Sequence, residues 1–269
     1  MISFSTLTLR RHTTCIAIAI LTSCFASPCW ADETDSTLPP ILEDTKLYFT
    51  APLRWDGADW LYFAGSVAAI GIAHRYDEDV RTHFVTNDPA LATDTESYSL
   101  DDAVPAAAAF LGTWAFAAIS DDSRGRKETW VMAEAAALSA TTGFLVKIAS
   151  GRERPSETAD ADAWRTSGDS FPSLHATAAF AIGTVLAESG SDEYRWERRA
   201  LGYGIGLATS YQRLKHNQHW LSDVVAGAAL GISSAHFAMN RHMPNDQRAM
   251  ISVTPMDGGL FLTYSTPLR

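Results

Sequence analysis

Cysteine is nearly absent from this chain. Its three cysteines, Cys15, Cys24 and Cys29, all fall within the first 30 of 269 residues. The remainder can hold neither a disulfide framework nor a thiol nucleophile. Long hydrophobic runs are scarce as well. The apolar stretches 60–74, 103–119, 130–149 and 219–238 are rich in Ala and Gly, and Glu134, His219 and Asp223 interrupt two of them. A membrane span needs about 20 strongly apolar residues, and a mean hydropathy of −0.05 is low for a chain made mostly of spans. The stretches therefore read as helices of a compact bundle, with membrane contact at its surface. Basic charge is in deficit, 21 Lys and Arg against 31 Asp and Glu, for a net charge of −10. That balance argues against nucleic acid as a partner. No metal cluster stands out either: His216 sits three residues before His219, but no fourth ligand of matching spacing accompanies them and Asp223, so His216 reads as a surface histidine.

The amino terminus has the order of an export signal. Arg10 and Arg11 precede a short apolar run, 13–26, and Cys29-Trp30-Ala31 offers a small-residue cleavage site. Residues 1–31 are thus expected to be removed, which places the mature protein in the periplasm or cell envelope. An uncut anchor is disfavoured because the run has only about 14 residues. Leu21-Thr22-Ser23-Cys24 also resembles a lipoprotein box with Cys24 as the lipidated residue, a weaker reading than cleavage after Ala31. Cleavage there leaves 19 basic residues (21 less Arg10 and Arg11) against 31 acidic ones, a net charge of −12.

Residues 32–55 lack sustained periodicity and read as a linker or wrapping arm. Residues 56–240 read as the helical domain. Asp56 or Asp59 is placed to cap a helix through His74, and a short helix is expected near Asp77–Val85. Further helices are expected at 103–120, 127–149, 173–188, 193–212 and 218–240, with a polar loop at 150–171. Residues 241–269 alternate around Asp257-Gly258-Gly259, the pattern of a β-hairpin. The fold class is all-α: a compact bundle of about six helices with a short C-terminal β-hairpin.

Three blocks carry the chemistry: KIASGRERP from Lys147 to Pro155, FPSLH from Phe171 to His175, and RLKHNQHWLSD from Arg213 to Asp223. In the third, His219 and Asp223 are four apart on an expected helix and share a face. A carboxylate on Nδ1–H fixes the imidazole tautomer and leaves Nε2 nucleophilic. The guanidinium of Arg213 suits two phosphate oxygens at once. Alone, the block reads more readily as a structural His–Asp pair. In the second, Ser173 is a good N-cap, and first-turn amides at a positive helix end make an anion site. His175 sits in that turn, where an imidazolium can protonate a leaving alkoxide. Alone, this is an ordinary cap beside an exposed histidine. In the first, Lys147 ends a helix and Arg154 can fold back toward it, so that two cations neutralise phosphoryl oxygens. Arg152 and Glu153 alternate with these and are expected to face solvent. Trp220 is expected in the core or the pocket wall.

Together the blocks resemble the type 2 phosphatidic acid phosphatase and vanadium haloperoxidase superfamily, whose pattern is K-x6-RP, PSGH and SR-x5-H-x3-D. Lys147, Arg154 and Pro155 fit the first element, Pro172, Ser173 and His175 the second, and Arg213, His219 and Asp223 the third. Three ordered blocks are far more specific than any one. Leu174 stands where the family has glycine and Gln212 where it has serine; leucine keeps the backbone amide, but its side chain must point away from phosphate. The resemblance implies that His219 attacks phosphorus to form a phosphohistidine, oriented by Asp223. His175 then protonates the leaving oxygen and activates water. Lys147, Arg154, Arg213 and the Ser173–Leu174 amides hold the phosphate, with no metal and no other cofactor.

The expected function is a metal-independent phosphatase at the cell envelope, acting on a phosphorylated lipid. A soluble phosphomonoester is the main alternative substrate. A vanadium-dependent haloperoxidase and a non-catalytic phosphate-binding envelope protein are the competing classes.

Overall fold

The computed structural model describes residues 40–87, 104–120, 123–189, 194–243, 250–256 and 259–265. The expected signal segment 1–31, Cys24 within it, and the hairpin tip Asp257-Gly258 lie outside the described residues. Asp44–Arg269 form one compact unit, and of Met1–Glu43 only the turn Pro40–Glu43 is described.

The described residues hold eight α-helices, not about six. They are α1 (Pro40–Phe49), α2 (Gly57–His74), α3 (Asp77–Asn87), α4 (Val104–Ser120), α5 (Ser123–Ser150), α6 (Leu174–Glu188), α7 (Arg195–Lys215) and α8 (Leu221–His242). α1, and the 3-10 turn Ala51–Arg54 after it, fall where the sequence lacks periodicity. Tertiary contacts hold α1: the Tyr48 hydroxyl is 2.7 Å from Ser234 Oγ on α8, and Arg241 Nε donates to Asp44 Oδ1 at 2.7 Å. α2 begins as expected, with Asp56 accepting from the Ala58 and Asp59 amides in a capping box.

α6 is the central helix. It packs against α5, α7 and α8, and its residues from Ala179 to Ala187 are all buried. Ala179, Ala181, Ile182, Val185 and Leu186 join Val131, Met132 and Ala135 of α5, Ile205 of α7 and Ala235, Ala238 and Met239 of α8 in one apolar core. Small residues let these backbones approach. A Cβ on Gly183 would lie 2.2 Å from the Gly202 carbonyl oxygen, and one on Gly202 would lie 2.1 Å from that of Gly183. α6 and α7 cross at that point only because neither residue has a side chain.

Among the described residues no strand enters the helical body, whose class is all-α. Beyond it, β1 (Met250–Met256) and β2 (Gly259–Ser265) pair antiparallel, with Met250 opposite Ser265 and Met256 opposite Gly259.

The apolar surface is extensive. α2 buries only Ala73 and α4 only Ala106 and Ala117. Trp60, Tyr62, Phe63, Leu111, Trp114 and Phe116 on these helices are exposed, as are Phe144, Leu145 and Ile148 on α5. α5 and α8 are long and apolar enough to cross a membrane, and about half of each is buried within the body.

Candidate active site

Four helix ends and two loops meet at one end of the bundle. α5 delivers Lys147 in its last turn, only 9 % exposed. The loop after α5 folds back on itself: Arg165 N donates to Ser150 O, Glu153 N to Ala163 O and Ser170 N to Arg152 O. This return sets Asp169 and Ser170 beside the cations. The Lys147 ammonium donates to the Asp169 carbonyl oxygen. Arg154 grips the Asp169 carboxylate twice, Nε to Oδ1 at 2.6 Å and Nη2 to Oδ2 at 3.0 Å, and donates from Nη1 to Gln218 Oε1 at 2.9 Å. Arg213, in the last turn of α7, is 1 % exposed, and Gln218 N donates to its carbonyl to close the turn that leads to His219.

His219 does not share a helix face with Asp223, as the spacing had implied. α8 starts at Leu221, so His219 precedes it, and Asp223 is the third residue of its first turn. The carboxylate caps the helix: Trp220 N donates to Asp223 Oδ2 at 2.8 Å. His219 Nδ1 still comes within 3.5 Å of Asp223 Oδ2, an ion-pair separation without hydrogen-bond geometry. Both side chains are buried.

Burial, and then the charges of Arg154, Lys147, Arg213 and His175, hold the His219 imidazole well below its usual pKa. The ring is therefore neutral at neutral pH. Lys147, Arg154, Arg213 and His175, the groups expected from the sequence, therefore all lie close enough to act on it. Lys147 is pushed down to about 8, chiefly by burial. Asp169 is drawn down to about 2: burial opposes this, but the Arg154 bonds and the Arg154 and Lys147 charges prevail.

At the N-terminus of α6, Ser173 caps as expected, its Oγ accepting from Ala176 N at 3.5 Å. Its own amide donates to the Asp223 carbonyl at 3.1 Å, so it is not available to an anion. Leu174 N is the first helical amide and has no intrahelical acceptor by position. Its side chain faces α5: a Cβ on Gly143 would lie 2.7 Å from Leu174 Cδ2. The residue that replaces glycine thus points away from the cage, and the glycine of α5 makes the room. His175 is half-buried in the same turn, whereas Gln212 is exposed on α7.

The expectation for Arg152 is corrected as well. Arg152 does not face solvent; it is 0 % exposed. Its Nη1 donates to Asp223 Oδ1 and Ser222 Oγ, both at 2.7 Å, and its Nη2 to Asp77 Oδ2 and Ala161 O, both at 2.7 Å. The guanidinium also lies 4.4 Å from the ring centroid of Trp164 and 5.3 Å from that of Trp220. Trp220 is buried, as expected, and donates from Nε1 to Glu153 O at 2.9 Å. Ser170 Oγ donates to Asp223 Oδ2 at 2.5 Å. Sequence reasoning missed Arg152, Asp77, Asp169, Ser170 and Ser222. A polar loop signals none of them, and Asp77 looks like one of three acids opening a surface helix.

A helical body thus brings a lysine, two arginines and a helix N-terminus together around a buried, neutral histidine, an arrangement with the chemistry to bind an anion. Comparison with known families points the same way. A model of the PAP2 superfamily matches residues 128–246, a stretch holding every residue of this cage. By that match the stretch is similar to the PAP2 superfamily. Among curated proteins, the lipid A 1-phosphatase of Porphyromonas gingivalis is 32 % identical over 114 residues, 40 % of this chain and 24 % of that protein. The chain therefore spans about a quarter of the length of the curated relative it matches. No solved structure matches the chain.

Proposed function

We propose that this chain is a phosphohydrolase that removes phosphate from a phosphorylated lipid at the cell envelope, through a phosphohistidine at His219. The observation that carries the reading is the neutral, buried His219 with Lys147, Arg154 and Arg213 around it. A nucleophile ringed by cations suits a substrate that brings its own negative charge.

The substrate phosphate displaces Asp169 from Arg154 and takes the two guanidinium bonds that the carboxylate holds in its absence. Lys147, Arg213 and the Leu174 amide bind the remaining oxygens. Nε2 of His219 attacks phosphorus, and the bond to the leaving oxygen breaks in line. Asp223 balances the charge that builds on the imidazole, while Arg152 and Ser170 keep that carboxylate in place. His175 gives its proton to the leaving oxygen, then takes one from the water that cleaves the phosphohistidine and releases phosphate. The exposed apolar faces of α2, α4 and α5 support a lipid substrate, because they give the protein a surface on which membrane can rest. The named activity of the Porphyromonas gingivalis relative supports it independently.

The test is phosphate release by purified protein, without added metal, for wild type and His219→Ala. Substrates are a soluble phosphomonoester, phosphatidic acid, a polyprenyl diphosphate and lipid A. The expected result is release by wild type, strongest on a lipid, and a loss of at least about a thousandfold in the variant. Labelled substrate should leave an acid-labile, base-stable phosphoprotein only in the wild type. Equal release from both proteins sinks the mechanism, and a preference for the soluble ester sinks the lipid assignment.

A further inference from the structure

Glu134 interrupts the apolar run of α5, and the catalytic cage does not use it. It lies 13 residues before Lys147, about 20 Å away along the helix. Its side chain is 6 % exposed, yet neither carboxylate oxygen has a hydrogen-bond partner. An unsatisfied carboxylate in a helical core is costly unless something neutralises it.

Two other groups are turned toward it. His242, in the last turn of α8, places Nε2 2.8 Å from Glu134 Oε2 and 3.1 Å from Asp44 Oδ2. Asp44, on α1, is 3 % exposed. The three ligand atoms lie within 4.8 Å of one another. His242 Nε2 is also without a hydrogen-bond partner despite its closeness to both carboxylates. Three ligand-type atoms this close together are spaced to share one centre, either a proton on His242 or a metal ion. Arg241 Nε donates at 2.7 Å to Asp44 Oδ1, the oxygen that does not face His242. Ligating carboxylates are commonly held by such a bond on their other oxygen.

We propose that Asp44, Glu134 and His242 bind a divalent transition-metal ion, Zn2+ above all, at the end of the bundle away from the phosphate cage. One imidazole nitrogen and two carboxylate oxygens form a three-residue zinc donor set, with water completing the tetrahedron. With His242 deprotonated to ligate, the imidazole, two carboxylates and Arg241 carry a net charge of −1, which a dication reverses. The site joins α1, α5 and α8, so its role is structural: it pins the N-terminal arm to the core. It takes no part in phosphoryl transfer.

The test uses the full-length purified protein. Metal content after purification without chelator, and Co2+ titration followed by visible absorption, are measured for wild type, Glu134→Gln, His242→Asn and His219→Ala. We expect one metal ion per chain and tetrahedral Co2+ bands, displaced by Zn2+, in wild type and in His219→Ala. We expect at least a hundredfold weaker binding in Glu134→Gln and His242→Asn. Zn2+ should raise the Tm of the wild type by several degrees and leave that of the two site variants unchanged. If the two variants do not fold, the Co2+ spectrum of the wild type and its persistence in His219→Ala decide the matter. No Co2+ spectrum and no Zn2+-dependent Tm in the wild type overturn the proposal, and leave a protonated His242 bridging the two carboxylates. Loss of the metal in His219→Ala overturns it too, since the ion then belongs to the catalytic cage.

Discussion

At the scale of single residues, the position whose burial departs most from its sequence reading is one that looks like surface. Arg152 lies in the same sequence block as Lys147 and Arg154, and nothing in its spacing marks it for burial. Its guanidinium nevertheless bridges two buried carboxylates, Asp77 and Asp223. Removing one partner from such a network leaves charges buried and uncompensated, which costs about 3–5 kcal/mol. Arg152→Met is therefore expected to lower Tm by roughly 10 °C for a domain of this size. Arg152→Lys should recover part of that loss, because it restores charge but not the fork. A thermal melt of the three proteins checks this, and an unchanged Tm in Arg152→Met would mean the network carries no stability. Lys147 yields a pH prediction. Burial holds it near 8, so its ammonium is present below about pH 8 and lost above it. An anion needs the charged form, so kcat/KM should fall as pH rises through 8, approaching tenfold per unit. Lys147→Arg keeps its charge past pH 12 and should abolish that limb. A wild-type profile flat to pH 10 would remove Lys147 from phosphate binding.

At the scale of elements, the helices were legible where apolar periodicity and caps coincide, as Asp56 shows for α2 and Ser173 for α6. α1 was not legible, because tertiary contacts from Tyr48 and Asp44, rather than a strong pattern, hold it in place. The boundary of α8 was misread for a related reason. A four-residue spacing reads as one helix face, but Trp220 and Asp223 cap the helix and leave His219 outside it. The substitution of leucine for glycine at 174 also resolves at this level. Leu174 fills the space that Gly143 leaves on α5, so the two residues are expected to be energetically coupled. Gly143→Ala should overpack this contact and cost about 1–3 kcal/mol. Leu174→Ala should relieve most of that cost in the double variant, with a coupling of about 1 kcal/mol or more. Denaturant melts around the cycle measure it. Additive effects would show that the two side chains do not meet.

At the scale of the whole molecule, composition argued for a compact bundle and its mean hydropathy against many spans, while the apolar surface could be seen only after folding. α2 is apolar almost throughout, yet it buries a single residue, Ala73. Its aromatic residues Trp60 and Phe63 pack on each other and on Trp55 rather than on the core. Patches beyond a few hundred Å² on a monomer mark a contact surface, and aromatic side chains favour the boundary between lipid and water. If this face rests on membrane, it should govern access to lipid substrates and leave the chemistry alone. Trp60→Ser/Phe63→Ser is therefore expected to weaken binding to phospholipid vesicles by about tenfold or more, since each buried aromatic side chain contributes about 1.5–3 kcal/mol. Turnover of a soluble phosphomonoester should stay within about twofold, because neither residue belongs to the cage. Turnover of a vesicle-borne phospholipid should fall in step with vesicle binding. Co-flotation with vesicles and paired assays on the two substrates separate these quantities. Equal losses on both substrates would mean the face supports the fold rather than the membrane. Undiminished vesicle binding would shift the lipid contact to α4 and α5, where Trp114, Phe116, Phe144 and Leu145 are exposed in the same way.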